Sequence, residues 1–251
     1  MEQGFSAEDS DALEEPSSTP SLASPLSRRQ LAWETAAVLA LAVVPPWVSS
    51  FEWLAEGDSE TTSVARIALW HVVHSLQVCV PLIYLIGRSG ERWSDFGISR
   101  PRPLVDPSLA IGVWMCDVVL QRWVRGMASR LLSADQFEAL TSLSDYTYAV
   151  AHTPGEHVLL ATSLAASSFA EELVMRGYLL RRFEQLFQST WLSVLFTSLL
   201  FAGYHTYQGP DGTLHALVAG LTYAGAFCAF RRLWPLAIAH TLWNWVASFA
   251  G

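Results

Sequence analysis

Apolar runs separated by short polar turns recur from residue 31 almost to the last residue. A bilayer-spanning helix needs about 20 mostly apolar residues. On that length the spans fall near 31–49, 63–87, 107–124, 157–180, 190–206, 213–230 and 233–250. The second holds Val78 to Ile86, the fifth Leu192 to Ala202 and the sixth Leu214 to Phe230. Asp117 interrupts the third and makes it the weakest. Residues 125–156 are mixed and fit either an amphipathic interfacial helix or part of a further span. The pattern predicts an all-α, polytopic transmembrane helical bundle with about seven spanning helices, eight if that mixed stretch supplies one.

Composition agrees. Hydrophobic residues make up 51% of the chain and charged residues only 15%, where a soluble domain carries roughly a quarter. Much of the net charge of -8 sits in Glu2, Glu8, Asp9, Asp11, Glu14 and Glu15. Residues 1–27, rich in Ser, Pro, Glu and Asp, therefore read as a disordered acidic tail. They lack the basic start and short apolar core of a signal peptide. Residues 28–130 read as N-terminal transmembrane helices and 131–251 as a functional core. No dense basic run interleaved with aromatics occurs, so nucleic acid is not an expected partner. Cys79, Cys116 and Cys228 are far apart in apolar stretches and read as buried small hydrophobes.

Arginine placement predicts an orientation. Arg28 and Arg29 precede the first span. Arg88, Arg92, Arg100 and Arg102 follow the second, Arg181 and Arg182 the fourth, Arg231 and Arg232 the sixth. All four groups share one side if the amino terminus is cytoplasmic, as in a multi-pass protein of the cell membrane. The first external loop then carries Glu52, Glu56, Asp58 and Glu60. Arg122, Arg125 and Arg130 dissent from this arrangement.

Charge inside a lipid-spanning segment asks for a partner or a task, because it costs about 2.5–3.5 kcal/mol per residue on insertion scales. The fourth span contains Glu171-Glu172-Leu173-Val174-Met175-Arg176. Glu172 and Arg176 are four apart, hence neighbours that can neutralise each other. Glu171 is rotated by about 100° from Glu172 and lacks that partner, which is the position a general base needs. The fifth span ends in Phe201-Ala202-Gly203-Tyr204-His205, and the seventh contains His240-Thr241-Leu242-Trp243-Asn244. His240 and Asn244 share a face. Glu171, His205, His240 and Asn244 can line one wet cavity. A glutamate and a histidine would hold and deprotonate a water, while a histidine and an asparagine donate to an oxyanion. At about 1.5 Å per residue, Glu171 lies roughly 15 Å from Arg181 and His240 about 8 Å from Pro235. The groups meet only if the seventh helix starts deeper than the fourth ends.

Each group alone has a blander explanation: a helix-end histidine, a packing hydrogen bond, an interfacial glutamate. His71 and His74 read as interfacial hydrogen bonders rather than a metal pair. His152 and His157 read as solvated loop residues beside Pro154-Gly155, and His215 as an interface residue. Gly220 and Gly225 suit close helix packing, and Trp243 and Trp245 read as packing or belt residues.

Taken together, EExxxR at 171–176, FxxxH at 201–205 and HxxxN at 240–244 resemble the CPBP family of CAAX proteases and bacteriocin-processing enzymes, also called the Abi family. Trp93 to Pro101 is similar to that family's linker before its core. The resemblance implies an intramembrane endopeptidase acting on a membrane-associated or C-terminal peptide. It makes Glu171 and His205 the activators of water and His240 and Asn244 the oxyanion donors, with Glu172 and Arg176 supporting them. Membrane lipids and a peptide substrate are the implied partners. Glu171, His205 and His240 can in principle ligate zinc, but no HExxH pair accompanies them, and a mechanism without a cofactor is the expectation. A non-enzymatic immunity or scaffold protein, with its intramembrane charge serving assembly, is the alternative from another class. A small proton-relaying transporter would show inverted repeats, and the sequence shows none.

Overall fold

A computed structural model describes residues 26–48, 63–141 and 151–249. The expected tail, apart from Leu26 and Ser27, and the acidic residues of the first loop lie outside the described residues.

Among the described residues the chain is helical, without strands. Helix α1 runs Arg28–Val48, with a π-helical turn at Leu39–Val43. Ser27 caps it, its hydroxyl accepting from the Gln30 amide while the Gln30 side chain accepts from the Ser27 amide. Helix α2 is Val64–Arg88, α3 Val105–Leu131 and α4 Ala134–Thr141. Helix α5 is the continuous Pro154–Phe187, in which Leu173–Leu179 is π-helical. Helix α6 is Thr190–Tyr204, α7 Gly209–Phe230 and α8 Leu233–Ala247.

Each of the seven expected spans is thus a helix. Four segments are long and apolar enough to cross a membrane: α1, α2, α5, and Thr206–Phe230, which contains α7. Helix α6 is apolar but shorter. The mixed stretch resolves into the end of α3 and the eight-residue α4, which buries nothing; residues 142–150 lie outside the described part. Large apolar side chains point outward, such as Leu69, Trp70, Val73, Leu76, Val80 and Ile83 on α2. Such a surface is tenable with lipid, not water, as the solvent, and the protein is an integral membrane protein.

Helix α5 is central, packing against α2 and α8, with its later turns against α6 and α1. Its core residues Leu173, Met175, Tyr178 and Leu179 are almost wholly buried. The Trp93–Pro101 linker wedges onto this core. Phe96 is fully buried, and Gly97 turns with φ +75°, where an added Cβ would lie 2.5 Å from the Phe227 ring. The Gly97 carbonyl accepts from the Leu233 amide at 3.0 Å, and the Ser99 carbonyl accepts from the Trp234 indole at 2.8 Å.

This linker fixes where α8 begins. Leu233 also packs over Gly177, whose missing side chain leaves it room. From Gly177 back to Glu171 is about 9 Å of helix, and from Leu233 on to His240 about 10 Å. The late start of α8 therefore brings His240 level with the glutamates, as the axial arithmetic required.

The four arginine groups meet at one end of the bundle. Arg28 donates to the Leu186 carbonyl at 2.8 Å. Arg181 and Arg182 both bond Glu91. Arg231 grips Glu184 at 2.8 and 3.0 Å, and Arg232 grips Asp106 at 2.7 and 2.9 Å. Burial raises the Glu91 carboxyl, but hydrogen bonds and charge from Arg182 and Arg181 outweigh it and hold the group below its ordinary value. The dissenting Arg125 instead pairs with Asp211 at the start of α7.

Several minor expectations need correction. Cys116 is exposed, while Cys79 and Cys228 are half-buried, because the outward face of a membrane helix is apolar too. Pro154-Gly155 opens α5 rather than forming a loop, with Thr153 as its cap. His157 is consequently helical and stacks near Phe249 and Trp245. A Cβ on Gly220 would press on Ser198 at 3.0 Å, so close packing explains it, whereas Gly225 has nothing within 4 Å.

Candidate active site

The two adjacent glutamates diverge as their 100° rotation requires. Glu172 is fully buried. Its Oε1 accepts from Arg176 Nη1 at 3.0 Å and lies 2.9 Å from His240 Nδ1. Arg176, also buried, sits 4.5 Å above the Phe201 ring and 5.5 Å from the Tyr223 ring. Its Nη2 donates to the Gly220 carbonyl at 3.4 Å. The i,i+4 clasp expected from the sequence is present, and it also serves a histidine.

Glu171 meets hydroxyls instead of an arginine. Its Oε1 accepts from Ser167 at 3.1 Å and its Oε2 from Tyr204 at 2.6 Å. His240 Nε2 stands 3.9 Å from Oε2. His240 therefore lies between the two carboxylates, with Nδ1 donating to Glu172 and Nε2 facing Glu171. A carboxylate paired with an arginine can only accept, which assigns the Nδ1 proton.

His205 closes α6 as its C-cap residue. Its Nδ1 donates to the Phe201 carbonyl at 2.8 Å, leaving Nε2 outward. The ring stacks between Phe201 and Tyr204, at 4.5 and 4.3 Å between centroids, within coulombic reach of Glu171. Asn244 is tied to the fourth span, its Nδ2 donating to Ser168 Oγ at 3.3 Å. A cleft of about 450 Å³ between α3, α7 and α8 is lined by Trp114, Gln121, Arg122, His215 and Trp243, among others, and by none of Glu171, His205, His240 or Asn244. His215 stacks on Trp243 at 4.3 Å.

Sequence reasoning missed several contributors. Tyr204, inside FxxxH, was readable as a buried phenol that needs a partner. Ser167 and Ser168 stand at i−4 from Glu171 and Glu172, a spacing visible in the sequence. Nothing local marks Tyr223 or Gly220, which reach the site only through helix packing. Among the described residues no three His, Cys, Asp or Glu side chains are disposed to share one ion; with His240 Nδ1 donating to Glu172, Nε2 is the nitrogen of that ring left for another partner.

Residues 153–246 match a family model described as "Rce1-like: Type II CAAX prenyl endopeptidase Rce1-like". The match spans all three motifs but not the linker at 93–101. No curated protein matches the chain, and no solved structure does. The resemblance drawn from the three motifs is thereby borne out for residues 153–246, which are similar to that CAAX-type endopeptidase family and lie within an integral membrane bundle.

Proposed function

We propose that the protein hydrolyses a peptide bond in a membrane-associated or C-terminal peptide segment, with Glu171 as the proton acceptor. The observation that carries this reading is the environment of Glu171. Its carboxylate is held by two hydroxyls, faces an imidazole and has no arginine beside it, while its neighbour Glu172 takes the arginine.

Glu171 and His205 Nε2 hold one water and take its proton as the oxygen attacks the scissile carbonyl. The carbonyl oxygen becomes an oxyanion. Asn244 and His240 Nε2, when that ring carries both protons, donate to it. The tetrahedral carbon then expels the amine, which receives the proton from Glu171, and the C–N bond breaks. Glu172 fixes the His240 ring through Nδ1, and Arg176 neutralises Glu172. No metal takes part. The arginine-rich end of the bundle supports a cytoplasmic placement of the amino terminus in the cell membrane.

The test is cleavage of lipidated and transmembrane peptides by purified wild type, Glu171→Gln and His205→Ala. Cleavage by wild type alone is expected, insensitive to chelators. Equal cleavage by all three ends the proposal.

A further inference from the structure

Hydrolysis consumes water, and Glu171 lies 17 residues into a membrane helix, about 25 Å from its start. The α2–α5 seam bears on how water gets there. On α5, Ser163, Ser167 and Glu171 recur every four residues and form one stripe along the helix. On α2, His71, His74 and Ser75 form a matching face at i, i+3 and i+4. The residues between and around them, Leu69, Trp70, Val72, Val73 and Leu76, point outward to lipid. The two helices pack together, and α2 starts level with the second and third turns of α5, since Val64 clusters with Leu160 and Leu164.

The seam holds more hydrogen-bonding capacity than the protein uses. Ser75 donates to its own helix at the His71 carbonyl, 2.6 Å away, and Ser163 to the Leu160 carbonyl at 2.9 Å. His71 Nδ1 meets Ser163 Oγ at 3.4 Å, long for a hydrogen bond. His74 stacks on Trp70 at 5.0 Å and has no hydrogen-bond partner among the described residues. Both imidazoles are half-exposed and within coulombic reach of Glu171. Two half-exposed rings and two serines on a line to a carboxylate suit a chain of waters, each needing two to four polar partners.

We propose that the α2–α5 seam, lined by His71, His74, Ser163 and Ser167, is a water route to Glu171. Its purpose rests on the peptidase reading, but its existence does not. His71 and His74 are positioning residues that keep the seam wet, and they take no proton from the substrate.

The test is thiol accessibility in native membranes, in a variant with Cys79, Cys116 and Cys228 replaced by alanine. Cysteine is placed singly at 71, 72, 73 and 74 and treated with a charged, water-soluble methanethiosulfonate. Modification several-fold faster at 71 and 74 than at 72 and 73 is expected. No modification at 71 and 74 means a dry packing seam and overturns the proposal. Equal modification at all four places α2 in bulk water and overturns it equally. Labelling after denaturation shows that each thiol is present. The labelling needs no substrate, so its failure is distinct from failure of the peptidase reading. Given peptidase activity, His71→Leu with His74→Leu lowers kcat and leaves KM unchanged, whereas a purely structural role lowers the amount of folded protein instead.

Discussion

Two clusters of charge hold this bundle, and they are built on different rules. At the arginine-rich end three carboxylates meet guanidinium groups: Glu91 with Arg181 and Arg182, Glu184 with Arg231, Asp106 with Arg232. In the interior, Glu172 follows the same rule with Arg176, but Glu171 one residue earlier does not. Hydroxyls hold it and an imidazole faces it. A carboxylate neutralised by arginine is a poor base. One held by two hydroxyls keeps a further lone pair on each oxygen open to a proton donor. The contrast separates charge that assembles the helices from charge free to do chemistry.

Four perturbations test that contrast. Glu171→Gln keeps the shape and the Ser167 bond but removes the proton acceptor. Peptide cleavage should fall by about 10² to 10⁴, with thermal stability unchanged. A stability loss as large as the activity loss would place Glu171 among the assembling charges. Arg176→Met should do the opposite. It strands Glu172 in the core at about 3–5 kcal/mol, read as loss of folded protein in detergent. Adding Glu172→Gln to Arg176→Met should recover much of the folded protein but not the activity, because the His240 ring loses its anionic acceptor.

Tyr204→Phe removes one charge-assisted hydrogen bond of about 1.5–3 kcal/mol. It should lower kcat by about tenfold to a hundredfold and leave the helices intact by circular dichroism. The smallest effect belongs to the paired end. Glu91 titrates below its ordinary value of 4.5, so its contribution is present above that pH and lost as pH falls through the folded value. The melting temperature should therefore decline below about pH 4.5 in wild type. Glu91→Gln should flatten part of that decline.

Much of the site was legible because membrane insertion filters sequence severely. Glu171, His205, His240 and Asn244 stand out for being polar in segments that are otherwise apolar, and their i,i+4 relations follow from helix geometry alone. Less legible was the wiring. That His240 bonds Glu172 rather than serving Glu171 alone depends on the depth at which α8 starts. That depth is set by a hydrogen bond from Leu233 to Gly97, across 136 residues of sequence. The third span, the weakest in the sequence, is not among the four segments apolar enough to cross a membrane. Asp117 interrupts its hydropathy, yet α3 runs unbroken from Val105 to Leu131 with Asp117 fully buried, its Oδ1 accepting from Gln121 at 3.3 Å. Hydropathy counts the charge and not the neighbour that accommodates it.

Local chemistry thus determined that the chain is a helical membrane bundle, which segments are helical, and that Glu172 and Arg176 pair. These follow from periodicity and from interactions within one or two turns. Tertiary structure decided that Tyr204 and Ser167 cradle Glu171, that His240 sits between two carboxylates, and that His71 meets Ser163 of α5. Those relations need helices distant in sequence to meet at one depth and rotation, and packing of side chains such as Leu233 against Gly177 sets both.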